Sequence, residues 1–567
     1  MNETDSPINP LPRADVATRG GFLSRSRANP WVVLTVLCTG FFMILLDSTI
    51  VNIAIPSIID NLQASLDQIL WVLNGYVLVY AVLLITAGRM GDIWGQRTMF
   101  AIGLSLFTIG SATCGLAQDM NQLIAARVLQ GFGGALLTPQ TLSILTTIFP
   151  ADRRGTAFGI WGGVAGIAAI AGPTLGGLIV TSSSWRWIFF VNLPIGIVAL
   201  AATFIFIPDF RPGRKHSLDI VGMLLATVGL FCIVFGLVEG ERYGWGAVWG
   251  WLNIPEIMAA GFGILLGFVA WERNQPEPLI PLSLFKNRNY SIMNSVVTAM
   301  GFTFVGIFLP LTIYFQAVLG MTALEAGLAM APMPLTMLLV APWSGRLADK
   351  TGGKYFLMMG LLVFAAGMGM LVWVATPEST WATFLVPLVV AGFGLGFIMA
   401  PSTTIAMRHI DPRLAGAASG VFNTTRQLGA VLGSSIVGAV LQNQLSTSLH
   451  NEAVVSSTQL PVQVQQVFID AFNGVAQSGI EFGRSAGSDP TLGAGIPPQI
   501  ADLVRSLGHT VFVNGFTDAI RPTIMVPVAF LVLVALACLA VEGKKQASDR
   551  ADSDSALGAD STLYTAG

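Results

Sequence analysis

The residue in this sequence best suited to do chemistry is an aspartate inside an apolar stretch. Asp47 is the one charged residue in WVVLTVLCTGFFMILLDSTIVNIAIPSII, residues 31–59. A carboxylate near the centre of a bilayer costs about 2.5–3.5 kcal/mol to insert, so intramembrane acids usually serve an ion, a proton or a substrate. The alternative is a structural aspartate that is hydrogen-bonded between helices.

Arg127 is the candidate counter-charge for Asp47. It lies about two turns into a later apolar stretch, and Gln130, Gly131 and Gly134 share its helical face at i+3, i+4 and i+7. An arginine near the end of a membrane helix can instead extend its side chain to the interface. We therefore predict either an ion pair with Asp47 or an interfacial residue.

A second arginine lies in an apolar stretch of the other half of the chain. Arg426 has Asn423 and Gln427 as polar neighbours, and it could meet an anionic substrate group or pair with backbone carbonyls. Polar and charged side chains within membrane spans usually face a bundle interior or a water-filled cavity. The candidate cavity residues are Asn52, Gln130, Asn423, Arg426 and Gln427.

Membrane helices must position these residues. Of the 567 residues, 53% are hydrophobic and 11% are charged, against about 25% charged residues in soluble domains. Apolar windows of about 20 residues mark transmembrane helices, and period-2 alternation is lacking. The sequence predicts an all-α polytopic membrane protein with fourteen transmembrane helices at 31–57, 69–88, 98–117, 121–147, 155–181, 186–207, 219–238, 254–272, 290–318, 324–344, 355–375, 381–407, 414–442 and 519–541.

The Lys and Arg residues orient the chain. With the N-terminus inside, 22 of the 29 lie on the cytoplasmic side, 5 lie on the outer side and 2 lie within spans. Cytoplasmic loops of membrane proteins carry an excess of Lys and Arg. We therefore predict that both termini are cytoplasmic.

One segment occurs in both halves of the chain. GRMGDIWGQR, residues 88–97, follows the second predicted span, and GRLADKTGGK, residues 345–354, follows the tenth. The two copies predict two parallel six-helix bundles with two inserted helices between them. The residues we assign to this segment are Gly88, Asp92, Gly95, Arg97, Gly345, Asp349, Gly352 and Lys354.

We predict that both copies are inner loops and form a cytoplasmic gate. Their glycines would allow a tight turn and a close helix approach. Asp92 and Asp349 would either cap a helix N-terminus or pair with Arg97 and Lys354. The alternative is a pair of loops that only fixes topology.

The domain organisation follows from the spans and the repeat. A long outer loop, 443–518, holds a short amphipathic stretch, VQQVFIDAF, and we expect a partly ordered surface loop, with a gate or a partner-docking element as the alternative. The predicted units are a cytoplasmic tail at 1–28, a six-helix bundle at 29–208, two inserted helices at 219–272, a six-helix bundle with the outer loop at 290–541 and a cytoplasmic tail at 542–567.

An ordered set of motifs gives the chain a family resemblance. GRMGDIWGQR resembles motif A of the major facilitator superfamily, although its sixth position, usually basic, is Ile93, whereas the second copy has Lys350. The further segments resemble the 14-helix drug:proton antiporters of the EmrB/QacA type. They are LDSTIVNIAIPSI at 46–58, LIAARVLQGFGGA (motif B) at 123–135, GIAAIAGPTLGG (motif C) at 166–177, WRWIFFVNLPIG at 185–196 and PLIPLSLFKNRNY at 278–290.

Motif C gives the fifth span a small-residue face and a kink point. The resemblance implies a role for this helix in antiport, and ordinary helix packing is the alternative. The resemblance also implies that Asp47 and Arg127 lie beside a central cavity. The motif C residues are Gly166, Gly172, Pro173, Gly176 and Gly177.

These observations predict a proton-coupled efflux antiporter of the bacterial plasma membrane that exports hydrophobic, cationic drugs or toxic compounds by alternating access. The sequence has no GxxxxGK[ST] segment and no nucleophile–base set, so we expect neither an enzyme nor a cofactor. It has no Cys or His cluster, so we expect no disulfide and no metal site. We expect a monomer whose partners are the bilayer, protons and small substrates, without nucleic acid. The alternatives are an exporter of an endogenous lipid, siderophore or antibiotic, and a non-transporting membrane scaffold or sensor.

Overall fold

The computed structural model describes residues 29–209, 219–240, 242–408, 410–478 and 498–542. The predicted N-terminal tail and nearly all of the predicted C-terminal tail lie outside these ranges. The Gly/Ser/Pro-rich part of the predicted outer loop, from residue 479 to residue 497, also lies outside them.

Fourteen helices correspond to the fourteen predicted spans, which confirms the all-α fold with its two bundles and inserted pair. They are α1 Pro30–Leu62, α2 Leu66–Trp94, α3 Gln96–Leu116, α4 Met120–Ile148, α5 Arg154–Ser182, α6 Asn192–Phe206, α7 Ile220–Glu239, α8 Ile254–Glu272, α9 Arg288–Ile313, α10 Pro332–Thr351, α11 Lys354–Val374, α12 Leu385–Met407, α13 Ala415–Ser457 and α14 Pro498–Ala537. Between α7 and α8, strands β1 Ala247–Trp249 and β2 Leu252–Asn253 pair in antiparallel fashion.

Helix α4 differs from the others in composition. Within the described residues, thirteen helical segments are long and apolar enough to cross a membrane, and they include every helix of the fourteen except α4. Its 29 residues hold Arg127, Gln130 and Gln140, all of them buried. Polar groups lower the mean hydropathy of α4, but the surrounding helices cover them.

Short polar residues start many of these helices. Asn29 accepts a hydrogen bond from the Trp31 amide at 3.0 Å, and Pro30 occupies the first helical position of α1. Asp119 caps α4 through the Gln122 amide at 2.9 Å. Each cap gives an acceptor to an amide that has none within its own helix.

Contacts between helix ends define two faces of the molecule. Arg97 at the start of α3 donates to the Phe204 carbonyl near the end of α6 at 3.0 Å. Lys354 at the start of α11 donates to the Leu539 carbonyl just beyond α14 at 2.8 Å. Odd-numbered helices therefore begin, and even-numbered helices end, at one face. We call it the basic face because its connections carry most of the Lys and Arg, and we call the other the opposite face.

The inserted helix α7 contacts both bundles toward the opposite face. Asn74 of α2 donates to Glu239 Oε1 at 2.8 Å, and Ser435 of α13 donates to the Leu237 carbonyl at 2.6 Å. Glu239 is 1% exposed and also pairs with Arg242 at 2.9 Å. The insertion is therefore hydrogen-bonded to a helix of each bundle.

The repeated segment is mostly helical, which corrects the prediction of two loops. Residues 88–94 form the last turns of α2, and residues 345–351 form the last turns of α10. Each helix ends only where a glycine takes a positive φ, at Gly95 (96°) and Gly352 (95°). Glycine adopts this conformation without steric cost, so it ends a helix readily.

These helices continue because they pack on a helix of the other bundle. A Cβ on Gly88 of α2 would collide with the Gly416 carbonyl of α13. Likewise, a Cβ on Gly345 of α10 would collide with the Gly155 carbonyl of α5. The glycines therefore serve close helix approach, as predicted, but they do so inside helices.

The predicted outer loop 443–518 is also mostly helical where it is described. Helix α13 continues to Ser457, a connecting helix follows at Val462–Ser478, and α14 begins at Pro498. Part of the reason is the spacing of apolar residues at the end of α13. Leu445, Leu449 and Ala453 are four residues apart, so they share one helical face, and all three are buried.

These helical extensions enclose an apolar core beyond the predicted end of the membrane spans. Leu449 and Ala453 of α13, Phe468 and Phe472 of the connecting helix and Phe516 of α14 are each at most 1% exposed. Burying such side chains stabilises a helix well beyond its intrinsic propensity. The prediction missed this because the core exists only once the three helices pack together.

Candidate functional site

Asp47, Arg127 and Gln130 form a closed ring of hydrogen bonds between α1 and α4. Arg127 Nη1 lies 2.5 Å from Asp47 Oδ2, and Gln130 Nε2 donates to Asp47 Oδ1 at 2.7 Å. Arg127 Nη1 also donates to Gln130 Oε1 at 2.7 Å. Asp47 is 0% exposed and Arg127 is 1% exposed, so the ring is closed to solvent. The structure thus contains the ion pair, and Arg127 does not extend to the interface.

Helix α2 completes the surroundings of Arg127. Its Nε donates to the Val72 carbonyl at 3.2 Å, and its guanidinium carbon lies 4.2 Å from the centroid of the Tyr76 ring. Gly131 permits this approach, since a Cβ there would lie 2.7 Å from the Tyr76 carbonyl oxygen. Sequence reasoning missed Val72 and Tyr76 because their contacts depend on how α2 is rotated against α4. The glycine one turn after Arg127 was the available signal.

Because the Asp47–Arg127 ion pair is buried, deleting either charged side chain should lower the free energy of unfolding strongly. Removing one partner of a buried pair typically costs about 3–5 kcal/mol, because the other charge is left buried without compensation. A proton on Asp47 would also leave Arg127 without its ionic partner, and it would turn one accepting oxygen of the carboxylate into a donor. The ring therefore depends on the negative charge of Asp47.

The ring lies in the half of the bundle nearer the opposite face. Asp47 is about 25 Å along α1 from Pro30, at 1.5 Å per residue. Arg127 is about 10 Å along α4 from Met120, which starts at the opposite face. Arg127 thus places the ion pair nearer the opposite face, while Asp47 lies close to the middle of α1.

Motif C contacts α1 next to the ring. Thr49 lies two residues from Asp47, and its Oγ1 is 3.4 Å from the Ala168 carbonyl oxygen. A Cβ on Gly172 would collide with the Thr49 side chain, and one on Gly176 would lie 2.9 Å from the Ile50 side chain. Motif C thus packs on the part of α1 that carries the proton-binding candidate.

Motif C also faces the second bundle. A Cβ on Gly166 would lie 2.6 Å from the Pro334 carbonyl oxygen of α10. A Cβ on Gly327, in the two-turn helix Ala323–Met330 before α10, would lie 2.8 Å from Pro173 Cβ. Gly177 differs, since a Cβ there would have no atom within 4 Å. Four of the five motif C residues therefore lie at helix contacts, and Gly177 does not.

The two aspartates of the repeated segment each cap a helix of the other bundle. Asp92 accepts the Gly416 and Ala417 amides at the start of α13, both at 2.8 Å. Asp349 accepts the Gly155 amide at 2.8 Å and an adjacent α5 amide at 3.2 Å. A carboxylate at a helix N-terminus is favoured both by hydrogen bonds and by the helix dipole. The structure shows the capping alternative, while Arg97 and Lys354 bind backbone carbonyls.

These caps hold the two bundles together at the basic face. α2 meets α13 and α5 meets α10 there, in two matching contacts related by the internal repeat. We call the first the α2–α13 seam and the second the α5–α10 seam.

Arg426 lies apart from the ring, on α13. Its Nη2 donates to Asn423 Oδ1 at 3.2 Å, and the side chain is half-buried. Asn423 in turn donates to the Ser419 carbonyl at 2.9 Å, and Ser419 donates to the Pro139 carbonyl of α4 at 2.8 Å. Arg426 therefore binds a side-chain carbonyl next to a contact between the two bundles.

The remaining candidate cavity residues do not join one cluster. Gln130 belongs to the ring, whereas Asn52 is exposed and donates to the Ser48 carbonyl within α1 at 3.2 Å. Gln427 is half-buried beside Arg426. The structure thus separates a charge pair in the first bundle from a polar group in the second.

Two six-helix bundles that meet along paired seams, with charges inside the spans, define a polytopic membrane transporter. The model of the Major Facilitator Superfamily matches residues 37–434, and the chain belongs to this family. Members of this family move solutes across membranes, so the chain is a transporter and not an enzyme.

The chain is similar to members of this family, some of which carry drug resistance or antibiotic export in their names. An uncharacterized MFS-type transporter of Mycobacterium tuberculosis, Rv1250, is 42% identical over 74% of this chain and 72% of its own length. The tetracenomycin C resistance and export protein of Streptomyces glaucescens is 33% identical, covering 86% of this chain and 88% of its own. The multidrug resistance protein Stp of Mycobacterium tuberculosis is 33% identical, covering 89% and 91%.

Solved structures share the fold at low sequence identity. The human organic anion transporter MFSD10 (TETRAN) superposes with a TM-score of 0.56 at 13% identity, over 79% of this chain and 98% of its own. The proton:xylose symporter XylE superposes with a TM-score of 0.52 at 14% identity, over 80% and 95%. Both confirm the fold.

Proposed function

We propose that this protein is a proton-coupled antiporter that exports small hydrophobic compounds by alternating access. The observation that carries the proposal is the closed Asp47–Arg127–Gln130 ring, which lies two residues from the contact between α1 and motif C. A proton-binding group and a bending point are thus adjacent. That adjacency supports exchange over simple facilitated diffusion, which needs no buried charge pair.

In the proposed cycle, a proton that arrives from the opposite face binds Asp47 and cancels its charge. Arg127 keeps its hydrogen bond to the Val72 carbonyl but loses its ionic partner. The resulting shift of α1 reaches α5 through Thr49 and Gly172. Because Pro173 interrupts the hydrogen bonding of α5, the helix can bend there and move against α10.

The same cycle requires the basic face to open. Losing a helix cap costs about 0.5–2 kcal/mol, so releasing both aspartate caps costs about 1–4 kcal/mol. One proton that crosses 100 mV supplies about 2.3 kcal/mol. The two quantities are of similar size, so the proposed driving force is on the scale of the cost of opening the two caps.

The proposal includes the setting of the protein. The excess of Lys and Arg supports a bacterial plasma membrane with both termini and the basic face on the cytoplasmic side. We propose that the protein works as a monomer with the proton gradient as its energy source and without a cofactor. Each bundle already supplies its share of both seams, so a single chain contains every part of the proposed cycle.

The test uses purified protein in proteoliposomes with an imposed pH gradient and rhodamine 123 as the transported dye. We expect Asp47→Asn to lower gradient-driven transport at least about tenfold, since a buried charge pair is worth more than 1.4 kcal/mol. Asp60→Asn, the same change at the exposed end of α1, is the control and should transport normally. Undiminished transport by Asp47→Asn would reject the coupling role.

A second candidate is export of a metabolite that the cell itself makes. The names of two relatives favour it, since one is a tetracenomycin C export protein and another is a probable actinorhodin transporter. Expression in a drug-sensitive host with a panel of dyes and antibiotics separates the two candidates. Broad resistance supports drug efflux, whereas unchanged resistance and dye retention support a dedicated metabolite exporter. Family membership favours either over a non-transporting scaffold or sensor.

A further inference from the structure

Arg426 lies on the side of α13 that is turned toward the other bundle. Gly416 and Gly420 pack on α2 and lie within about 40° of each other, at 100° per residue. Thr425 and Gly429 pack on α9 and lie about 180–220° from Gly416. Arg426 falls at about 280°, between the directions of α9 and α2. Its side chain therefore leaves α13 toward the space between the bundles.

A contact on the same side of α13 supports this placement. Ser419 donates to the Pro139 carbonyl of α4 at 2.8 Å, so this side of α13 faces the first bundle. Arg426 is about 10 Å farther from the basic face along the helix. Its half-buried side chain thus lies beyond the closed end of the seam, where the bundles are not sealed by glycine contacts.

The charge of Arg426 is not balanced by an acid. Within the described ranges, the ion pairs are those of Arg127, Arg153, Arg242, Arg505 and Arg521, and none includes Arg426.

The intramembrane carboxylates near the seams are already occupied. Asp47 is held on both oxygens by Arg127 and Gln130. Asp92 and Asp349 each accept backbone amides on both oxygens. The interior of the protein in this conformation therefore offers a ligand an uncompensated positive charge rather than a negative one.

We propose that Arg426, which Asn423 positions through its side-chain oxygen and Gln427 flanks, binds an anionic group on the exported compound, a carboxylate or an ionised phenol. The inference rests on the proposed function as an exporter and adds an anionic class to the cationic substrates predicted from the sequence. A guanidinium offers a planar pair of donors that matches a carboxylate, and such charge-assisted bonds are among the strongest in a poorly hydrated site.

This substrate class changes the electrical character of the transport cycle. Exchange of one proton inward for one monovalent anion outward moves two positive charges inward. Exchange of one proton for one monovalent cation moves none. An interior-negative potential should therefore accelerate export of an anion far more than export of a cation.

The experiment compares two xanthene dyes with similar rings and opposite charge, fluorescein and rhodamine 123, in the same proteoliposomes. We expect Arg426→Gln to raise the KM for fluorescein roughly tenfold to hundredfold, which is the value of a charge-assisted hydrogen bond, and to leave that for rhodamine 123 unchanged. Arg426→Lys keeps the positive charge but loses the planar pair of N–H donors, so part of the fluorescein affinity should remain. Arg521→Gln removes an equal charge at an exposed ion pair and serves as the control.

A second measurement separates this inference from the proposed function. Fluorescein anisotropy is titrated with purified protein in nanodiscs at one pH, without any gradient. Binding that depends on Arg426 supports the inference even if no pH-driven transport is found, in which case only the antiport proposal fails. If Arg426→Gln folds normally and changes fluorescein binding no more than Arg521→Gln does, the inference is overturned. Equal losses for both dyes would overturn it as well.

Discussion

Helices α5 and α13 begin alike and then diverge. Each is capped by an aspartate from the other bundle, and each places two glycines one turn apart against its partner helix. These are Gly155 and Gly159 on α5, and Gly416 and Gly420 on α13. The match extends over the first turns, where the basic face is closed.

Beyond those turns, the two helices carry different side chains. α5 continues with small residues and stays packed on α10 as far as Gly166, and its Pro173 meets Gly327 of the short helix before α10, whereas α13 becomes polar. The equivalent positions are Gly162 with Asn423, Ala165 with Arg426 and Gly166 with Gln427. The comparison shows that the capped helix contact at the basic face occurs in both halves of the chain. The charged groups inside the spans differ between the halves, since the first bundle holds the Asp47–Arg127 ion pair and the second holds Arg426, which has no acidic partner among the described residues.

The strongest way to break this comparison is to force the α5–α10 seam apart. A Cβ at Gly159 would collide with the backbone of Ala341, which cannot move aside. Overpacking costs typically about 1–3 kcal/mol, so Gly159→Ala should lower pH-driven dye export roughly fivefold to hundredfold. In Gly162→Ala the new Cβ would lie 3.3 Å from Met399 Cβ, a much milder contact than the 2.4 Å from a Cβ on Gly159 to the Ala341 carbonyl oxygen, so this variant is the matched control. Equal transport by both variants would show that the close packing of α5 on α10 at Gly159 is not needed for export.

The caps offer a smaller effect and a direct comparison of the two seams. Asp92→Asn and Asp349→Asn each replace one accepting oxygen by a donor and remove the charge at a helix N-terminus. We expect hydrogen exchange of the capped amides to rise roughly twofold to thirtyfold, the range set by a cap of about 0.5–2 kcal/mol. Asp92 should show the larger effect, because both its bonds are 2.8 Å, whereas one bond of Asp349 is 3.2 Å. A larger effect at Asp349 would show that the cap at the α5–α10 seam is the stronger of the two, contrary to this prediction.

The smallest effect should mark where the contact between motif C and α1 ends. Gly177→Ala adds a methyl group in open space, and alanine favours a helix over glycine by about 0.8–1.0 kcal/mol. We expect export to stay within about twofold of the parent protein. Gly176→Ala, one residue earlier, should lower export because its Cβ would lie 2.9 Å from Ile50. If Gly177→Ala were as damaging as Gly176→Ala, motif C would act beyond the contacts seen between helices.

Much of the fold was open to sequence reasoning because its signals are local. Apolar length places the helices, and two charges inside apolar runs single out Asp47 and Arg127. The sequence allowed Arg127 either to pair with Asp47 or to reach the interface. It likewise allowed Asp92 and Asp349 either to cap a helix or to pair with a basic residue. Choosing between alternatives required the relative positions of helices far apart in the chain.

The remaining features depend on packing that no local pattern encodes. Tyr76 contacts Arg127 only because of the rotation of α2, and the extension of α13 to Ser457 depends on burial against the connecting helix and α14. The unbalanced charge of Arg426 could not be deduced from composition either. It follows from the contacts that occupy the carboxylates near the seams, Asp47, Asp92 and Asp349.

The hydrogen bonds of α7 have a consequence for the route of release. This helix bridges α2 and α13 toward the opposite face, through Asn74–Glu239 and Ser435–Leu237. Its outer side carries exposed apolar residues such as Leu224 and faces the acyl chains. In the proposed cycle, a compound that left between α2 and α13 at the opposite face would meet α7 rather than lipid, so release on this side would lead to water.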